Sequence, residues 1–379
     1  MYLSPIGLEQ DTLVGYDVII VGARIAGSIL GVLLGSNGFR VLVLDQASFP
    51  SDTLSTHFFR WPTFSVMDRI GVLETLYTIA PRLPVNFNFV DGHVFSEPVN
   101  NPDGPSHHLC VRRSVLDNLL IERIRAQSTV TLREKAHVTG LLVEGEQIIG
   151  VQWSENQERL EARSRVVVGA DGIHSVVARH VDIEVEQSEP VHRAMFYAYY
   201  RDFQAHPGPS AEFHYRGNYL AYAFPTDSGL TLLAASFPIE DFSTFKKDPE
   251  KNLAMFFSSM PEIKPRLEKA SREDPVRGTG SIPGYQRKPF GSGWALVGDA
   301  GQVMDPWSGQ GIDQASTHAV YLAEALMAWL SDGMCWEEAM RSYWKRRNEF
   351  STATYERTCK LAKDLRPMTQ AALRRRGLI

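Results

Sequence analysis

The sequence predicts an α/β fold: a parallel-sheet domain interrupted by an inserted antiparallel sheet and followed by C-terminal helices. Three features predict it. Residues 17–45 run strand, glycine turn, helix, strand. Two later apolar runs end in Asp171-Gly172 and Gly298-Asp299. Residues 193–237 carry the alternating aromatic pattern of antiparallel strands.

The first feature is the most informative. An apolar run from 18 to 21 ends in Gly22-Ala-Arg-Ile-Ala-Gly27. A helical pattern follows through Ile29, Leu33 and Leu34, and a second apolar run ends at Asp45. Gly22 permits a tight turn and Gly27 lets the helix pack closely. Ala26 lies at the helix start, whose free N–H groups and positive dipole end suit a pyrophosphate. Asp45, with Gln46 beside it, stands where a carboxylate accepts from both ribose hydroxyls. This is a Rossmann-type unit; it calls for a dinucleotide without saying which. Where a middle glycine lets the backbone approach the pyrophosphate, this chain has Arg24. Its side chain either turns away or sets a fixed positive charge near the phosphates or the reacting ring.

Composition narrows the field. At 379 residues the chain can form two domains, and 44% hydrophobic with 22% charged residues is ordinary for a globular protein. A net charge of −5 leaves no electrostatic footprint for nucleic acid, and Arg374-Arg375-Arg376 reads as a solvated tail. Cys110, Cys335 and Cys359 are too widely spaced for a metal pattern and suit a reducing compartment. Neither a signal-peptide pattern nor an apolar run of spanning length appears. A cytoplasmic protein with no metal, no nucleic-acid partner and no membrane span is therefore expected.

The expected organisation is a discontinuous cofactor domain from 14–80, 106–180 and 281–330, a substrate-binding sheet domain from 81–105 and 181–280, and a helical segment at 331–379. Polar, turn-rich residues 50–57 precede a helical pattern through Val66, Ile70, Val72 and Leu73. Residues 81–105, rich in proline, asparagine and glycine, read as a crossing between domains. Helical spacing returns at Val115, Leu119, Leu120 and Ile124, before short strands at 130–132, 141–143, 148–151 and 166–168. In the aromatic strand, Phe196, Ala198 and Tyr200 face one way and Met195, Tyr197 and Tyr199 the other. Segments 219–224 and 230–237 flank a five-residue hairpin loop. Residues 241–274 are mostly charged and helical. Beyond Gly311, Ile312, Ala315, Ala319, Leu322 and Leu326 mark a buried helix face.

The later motifs carry chemistry. Asp171 ends an apolar strand, at the sheet's carboxyl edge. Asp299 ends another, where it can accept from sugar-chain hydroxyls. Pro306 fixes a turn, and Gly309 and Gly311 leave N–H groups bare at a helix start, where negative charge on a ring would be stabilised.

In this order the motifs resemble the FAD-dependent monooxygenases of the para-hydroxybenzoate hydroxylase type, near the geranylgeranyl reductase and halogenase-like subgroup, from about residue 15 to about 360. The resemblance implies an FAD site in which Gly22, Arg24, Ala26, Gly27, Asp45 and Gln46 take the ADP part. Arg113 contacts FAD ahead of a helix, and Asp171-Gly172 belongs to a motif associated with both FAD and NAD(P)H. Gly298 and Asp299 meet the ribityl chain, and Gly309, Gln310, Gly311 and Ile312 the pyrimidine edge. It also implies hydroxylation of a small, aromatic substrate: NAD(P)H reduces the flavin, molecular oxygen adds to give a C4a-hydroperoxide, and one oxygen passes to the substrate. Either NAD(P)H binds transiently or a separate flavin reductase supplies reduced flavin. His57, Arg60 and Pro306 are the catalytic candidates. His214 and Tyr222 are candidate pocket residues, with strand packing as their plainer role.

Departures from the family are Gly301-Gln302, where Ala-His is common, and Asp313, where Asn is usual. Two other readings stay open: an FAD-dependent reductase acting on an alkene, and a non-catalytic flavin-binding redox protein. The deep lysine of the halogenase relatives has no counterpart, since the first lysine is Lys135.

Overall fold

The computed structural model describes residues 15–55, 57–181, 183–206 and 208–379. Residue 14, the expected start of the cofactor domain, lies outside the described residues, as do the residues before it, on which the expected lack of a signal-peptide pattern falls.

Tyr16–Val21 lies inside a parallel sheet, between Val41–Leu44 and the second half of Glu158–Gly169. Val130–Arg133 extends it on one side and Trp294–Leu296 on the other. These strands read as unbroken apolar runs because both faces are covered. Val18 and Ile20 face the helices Ile25–Ser36, Arg113–Arg125 and Gly311–Leu330, while Ile19 and Val21 face a smaller layer. That layer is the antiparallel trio His137–Glu144, Gln147–Glu155 and the first half of Glu158–Gly169. The last strand thus changes sheets midway along its length.

The second large sheet runs Arg193–Arg201, Leu230–Pro238, Tyr219–Pro225, Ala211–Arg216, Val85–Val90, His93–Pro98. The hairpin and the two faces of the aromatic strand are as expected. Met195, Tyr197 and Tyr199 pack with Tyr222, Phe224 and Trp307, whereas Phe196, Ala198 and Tyr200 pack under Leu253, Phe257 and Ile263 of the overlying helices. Residues 81–105 differ from expectation: rather than a simple crossing, they supply two strands, the second at the sheet's margin. Proline is tolerated at such a margin, and His93–Pro98 ends in one.

The long helix Trp336–Lys363 packs on Gly311–Leu330, and its Tyr343 hydroxyl donates to the Leu296 carbonyl at 2.8 Å. Among the described residues no helix is long and apolar enough to cross a membrane.

Candidate functional site

A cavity of about 700 Å³ opens between the carboxyl edge of the parallel sheet and the second sheet. Its first end is built on glycine geometry. Gly22 has φ +102°, and a Cβ there would lie 2.4 Å from the Ala170 carbonyl oxygen. A Cβ on Gly27 would lie 1.9 Å from the Gly22 carbonyl oxygen. Gly27 therefore packs the helix start against the turn itself, with Ala26 on the cavity wall.

Asp45 lines the cavity and accepts the N–H groups of Ala23 at 2.7 Å and Ala47 at 2.8 Å. Burial raises its carboxyl above the usual range, and these two N–H groups oppose that shift. Gln46 is exposed at the same end.

Arg24 does not turn away from the site. It donates to Asp117 at 2.6 Å, Ser51 Oγ at 3.2 Å and the Asp52 carbonyl at 3.3 Å. Arg113 makes two bonds to the same Asp117, at 2.9 and 3.0 Å. Two guanidiniums on one wholly buried carboxylate leave net positive charge on the cavity wall, beside the helix N-terminus.

Asp171 accepts the Val176 N–H at 2.6 Å through Oδ2, while its Oδ1 is buried with no partner; Gly172 beside it has φ +74°. Gly298, at φ +61°, brings the third motif against the first helix, where a Cβ would lie 3.0 Å from Ala26 Cβ. Asp299 sits in the single turn Gly298–Ala300 beyond the strand end and is exposed to the cavity. The protein around it pushes its carboxyl up to about 6, against the pull of Arg113. Pro306 lines the cavity and opens the turn Pro306–Ser308, capped by Asp305. Gly309 is left-handed at φ +63°. The space in front of Gly311 is open, and the helix starting there has N–H groups without helical partners. Gln310 and Ile312 line the same wall.

Two catalytic candidates lie elsewhere. The Arg60 guanidinium faces away from the cavity, onto Asp313 Oδ2 at 2.8 Å and the carbonyls of Ser308 at 2.9 Å and Gly309 at 3.2 Å. Asp313 also accepts the Arg60 N–H at 2.9 Å and the Thr63 hydroxyl at 2.7 Å. The unusual acid at 313 thus has its own cation, and the pair clamps the glycine loop. His57 is fully buried behind the wall, its Nε2 2.8 Å from the Tyr199 hydroxyl. Burial, helped by Arg113, Arg277 and Arg112, holds the imidazole well below its usual range and neutral. Neither residue lines the cavity: Arg60 is held by the glycine loop and Asp313, and His57 by the Tyr199 hydroxyl.

The sheet residues His214 and Tyr222 take the plainer role of strand packing, and neither lines the cavity. His214 lies on the opposite face, between Glu212 at 3.1 Å and Glu262 at 3.2 Å, stacked on Phe89. Tyr222 is spent on the Trp307 carbonyl. Of the aromatic strand, only Met195 and Tyr197 line the cavity. Sequence reasoning missed Gln302 and Asp305, both on the wall; an acid immediately before a proline that opens a turn was the available signal for Asp305.

The glycine cradle, the cationic wall and the unpartnered Asp171 oxygen fit a dinucleotide with a pyrophosphate and sugar hydroxyls, and fold and cavity together define a dinucleotide-binding oxidoreductase. Residues 15–226 match the FAD binding domain family, and the chain belongs to it. It is 24% identical over 347 residues to digeranylgeranylglycerophospholipid reductase 1 of Methanococcoides burtonii, covering 87% of this chain and 79% of the relative. Its fold is similar to that of the myxobacterial chondrochloren halogenase CndH, with TM-score 0.82, 22% identity, and 90% and 81% of the two chains covered. It is also similar to that of pqsL, a probable FAD-dependent monooxygenase from Pseudomonas aeruginosa, with TM-score 0.79, 24% identity, and 92% and 96% covered.

Proposed function

We propose that the protein is an FAD-dependent monooxygenase that hydroxylates a small, aromatic substrate, with NAD(P)H as electron donor. The observation that carries this reading is the filled sheet end of the cavity. Tyr199, Tyr222, Phe224 and Trp307 pack against one another behind Met195 and Tyr197, so the cavity ends on an apolar aromatic wall that suits a small aromatic substrate.

When bound, FAD supplies two-electron chemistry, accepting hydride and passing electrons to molecular oxygen. The chain's residues do the rest. Gly22, Ala26 and Gly27 form the cradle for the ADP part, with Asp45 and Gln46 at its ribose. Arg24 and Arg113, fixed through Asp117, offset phosphate charge. Asp171, Gly298 and Asp299 meet the sugar chain, and Gly309, Gln310, Gly311 and Ile312 present helix-start N–H groups to negative charge on the ring. Pro306 borders the reacting face, and Arg60 and His57 position the loop and the aromatic wall.

The reductase relative favours a second reading, hydride delivery to an alkene. Halogenation is the weaker option because no lysine lines the cavity among the described residues. The test is turnover of the FAD-loaded protein with NAD(P)H, or with a flavin reductase, under ¹⁸O-labelled oxygen and a panel of phenols and anilines. One labelled oxygen in a product is the expected result. Anaerobic saturation of an alkene without label would replace hydroxylation by the second reading. FAD that never exchanges electrons with either donor would point to a redox-binding protein.

A further inference from the structure

The cavity wall carries two acceptors that no protein donor meets, one open to the cavity and one covered. Asp305 lines the cavity and is 5% exposed. Its Oδ1 accepts the Trp307 N–H at 3.0 Å, and among the described residues no donor reaches its other oxygen. Gln302, 3% exposed, lines the same wall. Its Nε2 donates to Gln286 Oε1 at 3.4 Å, while its own Oε1 is buried without a partner. The free Asp305 oxygen opens onto the cavity, where a ligand or water supplies its donor, whereas the Gln302 oxygen is covered by protein.

The cations nearby are committed elsewhere. Arg193 gives its hydrogen bonds to Ser236, Asn218 and the Ala362 carbonyl. Arg277 pairs with Asp52 and Asp274, and Arg60 with Asp313. The second sheet contributes Met195, Tyr197 and Thr279 to the cavity, and neither lysine nor arginine. Of the arginines that line the cavity, Arg24 and Arg113 hold Asp117 at the dinucleotide end, and Arg179 donates to the His174 carbonyl, three residues from Asp171.

Resting on the reading of this cavity as a flavin site with a small substrate, we propose that its sheet-facing end selects a substrate bearing an amine or hydroxyl donor, received by Asp305, and rejects carboxylates. An amine or hydroxyl supplies the hydrogen that the Asp305 oxygen lacks. A carboxylate would face the Asp305 carboxylate, while Arg193, the arginine that acts on Asp305, gives its hydrogen bonds to Ser236, Asn218 and the Ala362 carbonyl. Burial pushes the Asp305 carboxyl up to about 6, opposed by the Trp307 N–H and by Arg193 and His192, which leaves it largely ionised at neutral pH. Tyr222 and Cys359, the other titratable groups facing it, carry protons there because burial raises both.

The experiment is calorimetric titration of the purified holoprotein and its Asp305→Asn variant with two matched pairs: aniline against benzoate, and geranylamine against geranate. Asparagine keeps the acceptor that caps Trp307, so the turn is retained, and visible absorbance reports the FAD content of each preparation. In the wild type the amines bind about tenfold or more tighter than the acids, and Asp305→Asn removes about tenfold of that preference. Acids binding as tightly as amines, a preference unchanged in Asp305→Asn, or no amine binding at millimolar concentration overturns the proposal. Amine preference confined to the alkene pair supports it while removing the aromatic reading. Amine preference in a preparation without a flavin band supports it while removing the flavin reading.

Discussion

One methyl group tests the glycine turn. In Gly27→Ala the new Cβ would fall 1.9 Å from a backbone oxygen, so the helix start must move. Stability should drop by about 3 kcal/mol, the upper part of the overpacking range, with loss of bound FAD. Gly172→Ala, whose Cβ meets nothing within 4 Å but whose φ is +74°, should cost only about 1 kcal/mol. Urea unfolding and flavin content of the two purified variants check this. Arg60→Ala would leave Asp313, 2% exposed, with the Thr63 hydroxyl and one backbone N–H. A loss of about 3 kcal/mol is expected, together with faster FAD release from a loosened glycine loop, measured by fluorescence on dilution. The glycines and Asp45 could be read from sequence because their demands are local. Arg60 and Asp313 could not, since their partnership spans 253 positions.

The strand Ala211–Arg216 is the element that the sequence conceals. Glu212, His214 and Arg216 alternate as a solvated face would, yet Glu212 and His214 are fully buried. The reason is a network: Arg266 makes two 2.7 Å bonds to Glu212, which also meets His214, and Glu262 closes the far side. Burial alone would raise the Glu212 carboxyl, but His214 and Arg266 hold it down to about 2. A carboxyl lowered from 4.5 contributes stability above pH 4.5 that is lost as pH falls through about 2. Glu212→Gln should therefore be less stable at neutral pH, with a flatter stability profile between pH 4.5 and 2, by urea unfolding across that window. The strand Val85–Val90 was hidden differently: Asn86 and Asn88 read as turn formers, and only the pairing with Ala211–Arg216 makes them strand residues.

Across the whole molecule, acid sensitivity follows from buried neutral histidines. Burial lowers His108 and His318 to about 3, and holds His57 well below 6.5. The unfolded chain binds these protons from pH 6.5 downward while the folded one does not, so stability falls as pH drops from 6.5 toward 3. Asp299 and Asp305 act in the opposite sense between about 6 and 3.8, but each shifts less than either histidine. His318→Leu should flatten the decline, and thermal unfolding at a series of pH values would show it. Saturating FAD at about a hundred times its Kd should add about 2.7 kcal/mol at any pH where it binds.

By itself the sequence determined the Rossmann-type unit, the order of the FAD motifs, the aromatic strand with its two faces and the buried face of Gly311–Leu330. Each is a periodicity or a local backbone demand, written within a few residues. Only the tertiary structure decided that Arg24 and Arg113 share Asp117, that Arg60 clamps the glycine loop and that His57 lies behind the wall. It also left Asp305 with a free acceptor on the cavity. Those facts depend on which charges and lone pairs meet across distant segments, and a residue's type does not disclose whether folding will give it a partner.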